Sequence, residues 1–120
     1  MSKLLIVDDE LDVREFARNF FKKRKIDCLT AESGEEALKI ISSDKPQLVL
    51  LDIRMSGMNG LDVLKKIKEI DKAIDVIMVT GVEEEEGMKN AKELGASGYI
   101  HKPLKLDELE ETVLKRLAKK

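Results

Sequence analysis

A doubly wound α/β fold, five parallel strands alternating with five helices, is predicted for this chain by three observations. Leu4 to Val7, Leu48 to Leu51 and Val76 to Val79 are short apolar runs without polar alternation, the pattern of strands buried on both faces. Between them lie segments with apolar residues at helical spacing. Strand and helix then alternate five times, and right-handed crossovers turn such alternation into a parallel sheet with helices on both faces.

The elements follow in order. After the first run, Val13, Phe16, Ala17, Phe20 and Phe21 recur at i, i+3, i+4, i+7 and i+8, which places an apolar stripe on one face of a first helix packed on the sheet. A second, weaker strand fits Cys28 to Ala31. Ser33 and Glu36 form a capping-box pair at the start of a second helix that turns Ala37, Leu38 and Ile41 inward, and Pro46 prevents its continuation. A third helix starts at Asn59 with Leu61, Leu64 and Ile67 inward. The fourth runs from about Glu83 to Leu94, with Gly95 as its left-handed terminator. Gly87 inside it costs about 1 kcal/mol relative to alanine, so this is expected to be the least stable helix. A fifth strand fits Gly98 to His101, and a fifth helix carries Leu106, Leu109, Val113 and Leu117.

Composition narrows the function classes. The 120 residues fit one domain, spanning 1–120 with no linker and no effector domain. Charged residues make up 38%, yet 22 Lys and Arg against 24 Asp and Glu leave a net charge of only -2. That balance gives no basic footprint for direct nucleic-acid binding. Cys28, the single cysteine, can form no internal disulfide and is read as buried strand filler in a reducing compartment. No apolar run approaches the roughly 20 residues of a membrane span, so membrane insertion is not expected and the chain is placed in the cytoplasm.

In this architecture ligands sit beyond the carboxyl ends of the strands. Asp8, Asp9 and Glu10 follow the first run, Asp52 the third strand, Thr80 and Gly81 the fourth, and Lys102 and Pro103 the fifth. Asp8, Asp9 and Asp52 converging on one pocket would repel one another unless a cation offset them. Carboxylate oxygens without His or Cys suit Mg²⁺, with Mn²⁺ as a substitute, rather than zinc. A metal, the Lys102 ammonium and the Thr80 hydroxyl around one carboxylate compose a phosphoryl-transfer site. Asp52 is its nucleophile and an aspartyl phosphate its product, with Lys102, Thr80 and the Gly81 amide on the phosphoryl oxygens.

These residues, together with Tyr99-Ile100-His101-Lys102-Pro103, resemble the receiver domain of two-component response regulators, of the chemotaxis-regulator (CheY-like) kind, over the whole chain. The resemblance implies a flavodoxin-like (βα)5 sheet of strand order 2-1-3-4-5 and Asp52 as phospho-acceptor. It implies Mg²⁺ held by Asp8, Asp9, Asp52 and the Arg54 backbone carbonyl, with Asp9 ligating directly and Asp8 partly through water. A cis Lys102-Pro103 peptide, and Thr80 with Tyr99 as a coupled switch, follow from the same resemblance. Met55, Met58 and Gly60 match the loop after the acceptor. Ser56 replaces a frequent proline there, and Arg54 and Val82 stand where family members tune phosphoryl lifetime.

The expected function is phosphorelay signal transduction. Asp52 takes a phosphoryl group from a sensor histidine kinase or phosphotransfer protein, and the face made by the fourth helix, fifth strand and fifth helix switches conformation. The output is an unidentified protein or a detached effector domain. The chain is expected to be monomeric when unphosphorylated, with dimerisation on activation as a further expectation, and not to be a turnover enzyme. Rival readings are a haloacid-dehalogenase-type phosphatase, which needs an acid two residues past the nucleophile where Arg54 stands, and a flavodoxin-like electron carrier, whose flavin phosphate Asp8 and Asp9 would repel. A third is an adaptor of the same fold without phosphorylation. His101 is expected to face away from Lys102 as a structural or surface residue, and Glu83 to Glu86 to form a solvated helix start that complements the dipole.

Overall fold

The computed structural model describes residues 3–55, 57–81 and 85–118. Five strands, β1 (Lys3–Val7), β2 (Asp27–Ala31), β3 (Leu48–Asp52), β4 (Asp75–Thr80) and β5 (Gly98–His101), form one sheet in the order β2-β1-β3-β4-β5. Every neighbouring pair is parallel. Helices α1 (Leu11–Lys23), α2 (Gly34–Asp44), α3 (Gly60–Ile70) and α4 (Glu85–Glu93) make the crossovers. A C-terminal helix follows, α-helical at Leu106–Glu108, π-helical at Leu109–Leu114 and α-helical again at Lys115–Ala118.

The unbroken apolar runs are explained by two cores. Alternate residues of a strand point to opposite faces, so Leu4, Ile6, Leu48, Leu50, Ile77 and Val79 meet Ala17, Phe20 and Phe21 of α1 and Leu109, Val113 and Leu117 of the C-terminal helix. Leu5, Val7, Val49, Leu51, Val76 and Met78 meet the layer of α2, α3 and α4, through residues such as Ile41, Leu64, Ile67 and Ala91. The same parity carries past the core to the strand ends. Asp52 falls in step with Leu48 and Leu50 on the α1 face, whereas Thr80 falls in step with Val76 and Met78 on the α4 face.

Local signals set most boundaries. The Ser33 hydroxyl accepts from the Glu36 N–H at 3.2 Å, while the Glu36 carboxylate accepts from Glu32 N–H at 3.3 Å, one residue outside the usual reciprocal partner. Asn59 caps α3 by accepting from Asp62 N–H at 3.0 Å. Gly95, at φ 103°, closes α4 with paired bonds from Gly95 N–H to Lys92 and from Ala96 N–H to Ala91. The same closure ends α1 at Lys25, φ 60°, with no glycine to announce it.

Three expectations of burial need correction. Phe16 is 42% exposed and Leu106 54% exposed, so neither belongs to the core. Neither packs against the two cores, and Phe16 instead lines a groove with Pro103 and Leu104. Cys28 is only partly buried, on the edge strand β2, and burial still pushes its thiol up to about 12. Helix α4 is described from Glu85, and the expectations placed on Ser56, Val82 and Glu83 lie outside the described residues.

Gly60 matters for the strand-end geometry. A Cβ there would lie 2.2 Å from the Asp52 carbonyl oxygen and 2.7 Å from Ile53 Cα, both main-chain atoms, and Gly60 N–H donates to Ile53 at 2.9 Å. At Gly98 an added Cβ would meet nothing within 4 Å. Urea denaturation should therefore show Gly60→Ala destabilised by about 1–3 kcal/mol through overpacking, with Gly98→Ala near neutral.

Candidate functional site

The site lies at the carboxyl end of the sheet, and the strands β1 and β3 supply its acids. Asp8 follows β1, and its main-chain N–H donates to Ala31 of β2 at 3.1 Å, which fixes the chain as it leaves the strand. Its carboxylate is 2% exposed and accepts from Glu10 N–H at 2.9 Å, turning the acidic segment tightly over the strand end. Asp52 ends β3, and its Oδ1 accepts from Arg54 N–H at 3.1 Å. Arg14 of α1 holds the Asp8 carbonyl at 2.8 Å and reaches Glu32 at 3.7 Å.

Lys102 joins these groups. Its Nζ lies 2.9 Å from Asp52 Oδ2, 3.1 Å from Asp8 Oδ2 and 3.1 Å from Glu10 Oε1. Lys102 N–H donates to the Thr80 carbonyl at 2.7 Å, and the Lys102–Pro103 peptide is cis. Burial pushes the Asp52 carboxyl up to about 6, with the Asp8 charge adding to the rise and the Lys102 hydrogen bond opposing it. For Lys102 burial acts downward, but the hydrogen bond and charge of Asp52, then Asp8 and Glu10, hold the ammonium above its ordinary value. Lys102 is thus the standing counter-charge of the pocket.

Among the described residues, Asp8, Asp9 and Glu10 bring carboxylate oxygens within 4.8 Å of one another. Asp52 stands across Lys102 from that cluster rather than inside it. Glu10 is the residue that sequence reasoning left out of the site. It was visible as the third acid after the first strand, but an exposed carboxylate in a turn gives no sign that it reaches Lys102. All these donors are carboxylate oxygens, and Asp8 is too buried to be satisfied by bulk water, so the set fits a hard divalent cation such as Mg²⁺.

Thr80 ends β4 and is fully buried. Its Oγ1 lies 3.2 Å from His101 Nδ1 and 3.4 Å from Met88 Sδ of α4. Gly81 follows, half-buried, with open space where a side chain would be. Tyr99 is 54% exposed, its ring edge-on to His101 with centroids 5.5 Å apart. Beside the acidic pocket an apolar groove of about 570 Å³ runs along Val13, Phe16, Pro103 and Leu104, with Glu10 and Lys102 at its rim. Chemically, a buried carboxylate beside an ammonium and further acids can hold a hard cation and present a nucleophilic oxygen to an electrophile entering from the strand ends.

Comparison with known proteins gives this geometry its context. A family model for the response regulator receiver domain matches residues 4–114. The chain is 39% identical over 115 residues to the sporulation initiation phosphotransferase F of Bacillus subtilis (strain 168), covering 96% of this chain and 93% of that protein. It is 32% identical over 111 residues to the alkaline phosphatase synthesis transcriptional regulatory protein PhoP of the same organism, covering 92% of this chain and 46% of that one. The chain spans about half the length of several such relatives. Among solved structures, a CheY-like response regulator receiver domain protein from Methanospirillum hungatei JF-1 superposes with a TM-score of 0.94 at 27% identity, covering 99% of this chain and 95% of that one. NtrX from Brucella abortus, in complex with ADP, gives 0.92 at 32% identity, covering 99% of this chain and 28% of that one. The sheet order, the acids at its carboxyl edge and these matches lead to one assignment: the chain belongs to the receiver domain family of two-component response regulators.

Proposed function

We propose that this chain works as a phosphoryl-accepting switch, with residues 1–120 acting as one receiver unit. The observation that carries the proposal is the Asp52 carboxylate, buried at the end of β3 and hydrogen-bonded to Lys102 Nζ at 2.9 Å. An Asp52 oxygen attacks the phosphorus of a phosphohistidine on a sensor histidine kinase or phosphotransfer protein. The new P–O bond forms as the P–N bond breaks, and the departing imidazole nitrogen keeps the electron pair and is neutralised by a proton. An aspartyl phosphate results.

The surrounding residues have separable roles. Lys102 places its charge on the phosphoryl oxygens as they take up charge, and the Thr80 hydroxyl and Gly81 amide donate to them. Asp8 and Asp9, with Asp52 and the Arg54 carbonyl, would hold Mg²⁺, which when bound neutralises the crowded oxygens. Mn²⁺ would serve the same donors. The apolar groove beside Lys102 suits the approach of a helical phosphodonor, because its floor is apolar and its rim is charged. Phosphorylation then shifts Thr80 and Tyr99 and biases the face of α4, β5 and the C-terminal helix toward an active conformation read by an effector domain or separate protein. The cycle of gain and loss at Asp52 is self-modification rather than substrate turnover. Among the described residues no helix is long and apolar enough to cross a membrane. The proposed place of action is the cytoplasm.

Intact mass after incubation with a small phosphodonor and Mg²⁺ should show one added phosphoryl group. The adduct should be absent in Asp52→Asn and in the presence of EDTA. If neither an adduct nor phosphate release is seen, even with a phosphohistidine donor, the adaptor reading replaces this one.

The raised Asp52 carboxyl also predicts a pH effect. Its folded value of about 6 exceeds the ordinary 3.8, so the folded state binds the proton more tightly and ionisation disfavours the fold. This penalty grows as pH rises from about 4 to 6 and is fully present at pH 7. Without divalent cations, Asp52→Asn should be more stable than the parent by about 1–3 kcal/mol at pH 7, by chemical denaturation. The gap should close toward pH 4, and equal stability at pH 7 would mean that Lys102 already compensates the charge.

A further inference from the structure

We infer that His101 is a positioning residue for Thr80, a latch that holds the hydroxyl in its resting orientation until a phosphoryl group on Asp52 draws it away. The inference rests on the proposed role of Thr80 as a phosphoryl ligand. Strand register creates the contact. Thr80 and His101 are direct partners across β4 and β5, and Met78 partners Tyr99 in the same ladder. Side chains opposite one another in adjacent strands share a face, so Tyr99 and His101 stand beside Met78 and Thr80. Ile100, between them, turns to the other core.

The Thr80 hydroxyl has one proton to give, and two acceptors lie within reach, His101 Nδ1 at 3.2 Å and Met88 Sδ at 3.4 Å. A ring nitrogen lone pair is a better acceptor than a thioether sulfur, so the latch as inferred has the hydroxyl donating to Nδ1, which requires the Nε2–H form of the imidazole. Phosphoryl oxygens accept but do not donate. They need that same proton, so binding to the phosphoryl group and binding to His101 exclude each other.

Asp52 falls on the opposite face of the sheet from Thr80, which means the hydroxyl must also turn toward the strand end to serve it. Letting go of His101 in that turn removes the contact that orients the imidazole against the Tyr99 ring. His101 therefore links the proton of Thr80 to the exposed aromatic of β5, and raises the cost of the active arrangement.

Two substitutions separate the ring from its nitrogen. His101→Phe keeps an aromatic ring against Tyr99 but has no acceptor, whereas His101→Asn keeps a heteroatom close to the position of Nδ1. The probe is beryllium fluoride with Mg²⁺, a tetrahedral phosphoryl mimic that binds a carboxylate, measured by calorimetry on the full chain. His101→Phe should bind it about threefold to tenfold more tightly than the parent, the range expected for one lost competing hydrogen bond, and His101→Asn should stay close to the parent. In a Thr80→Val background, which removes the hydroxyl and keeps the side-chain shape, His101→Phe should have no effect. Equal tightening in that background, weaker binding by His101→Phe, or no response to it in the parent overturns the latch alone. Failure of every variant, the parent included, to bind the mimic overturns the phosphoryl-acceptor reading and the latch with it.

Discussion

Keeping two carboxylates charged at the covered edge of a sheet is the constraint on which the rest of this structure depends. Asp8 and Asp52 are almost fully buried, and burial, with the charge of Asp8 beside it, drives Asp52 toward its neutral form. The Lys102 ammonium, in contact with both, is what makes the arrangement tenable. Its position depends on the register of β5 and on the main-chain bond from Lys102 to Thr80. The charge pattern of the site and the topology of the sheet are therefore one problem: the last strand in sequence must return beside β4 before the first and third can carry their acids.

The parity of the strands divides the labour at that edge. Asp52 shares a face with the α1 core, and Thr80 shares a face with α4, because each sits an even number of residues from the apolar positions that anchor its strand. The Asp52 carboxylate and helix α4 are thus on opposite sides of a sheet that is one residue thick. Thr80 connects them. It is buried, and its hydroxyl contacts reach β5 through His101 and α4 through Met88.

Much of this was legible in the sequence, for a physical reason. Strands buried on both faces must be apolar throughout, so the first polar residues after each run mark the sheet edge, and Asp8, Asp52 and Thr80 declared themselves in that way, whereas Lys102 follows β5, which is only partly buried. Helix periodicity was less informative about depth. It put Phe16 and Leu106 on the inward stripes of their helices, and both are exposed, because spacing alone cannot tell how far the sheet extends beneath a helix. Glu10 escaped because its reach to Lys102 depends on a turn that Asp8 itself organises. The contact of His101 with Thr80 needed the pairing of β4 with β5, since alternation along one strand says only which face a residue takes. Lys25 ends α1 in a conformation usually marked by glycine, and here the bonds back to Phe21 and Lys22 impose it.

The tethered ammonium of Lys102 has a consequence for ion selectivity. Held on its own chain within 3.1 Å of Asp8 and Glu10, it meets these carboxylates without the translational entropy that a dissolved cation loses on binding. Sodium or potassium would merely exchange one positive charge for another, and would forfeit the three directional N–H donors of the amine. A divalent ion held there as proposed would double the charge and admit the carboxylates to a shared coordination sphere. The lysine would then act as a filter by valence, setting the acidic edge against monovalent salts while leaving it open to a harder cation.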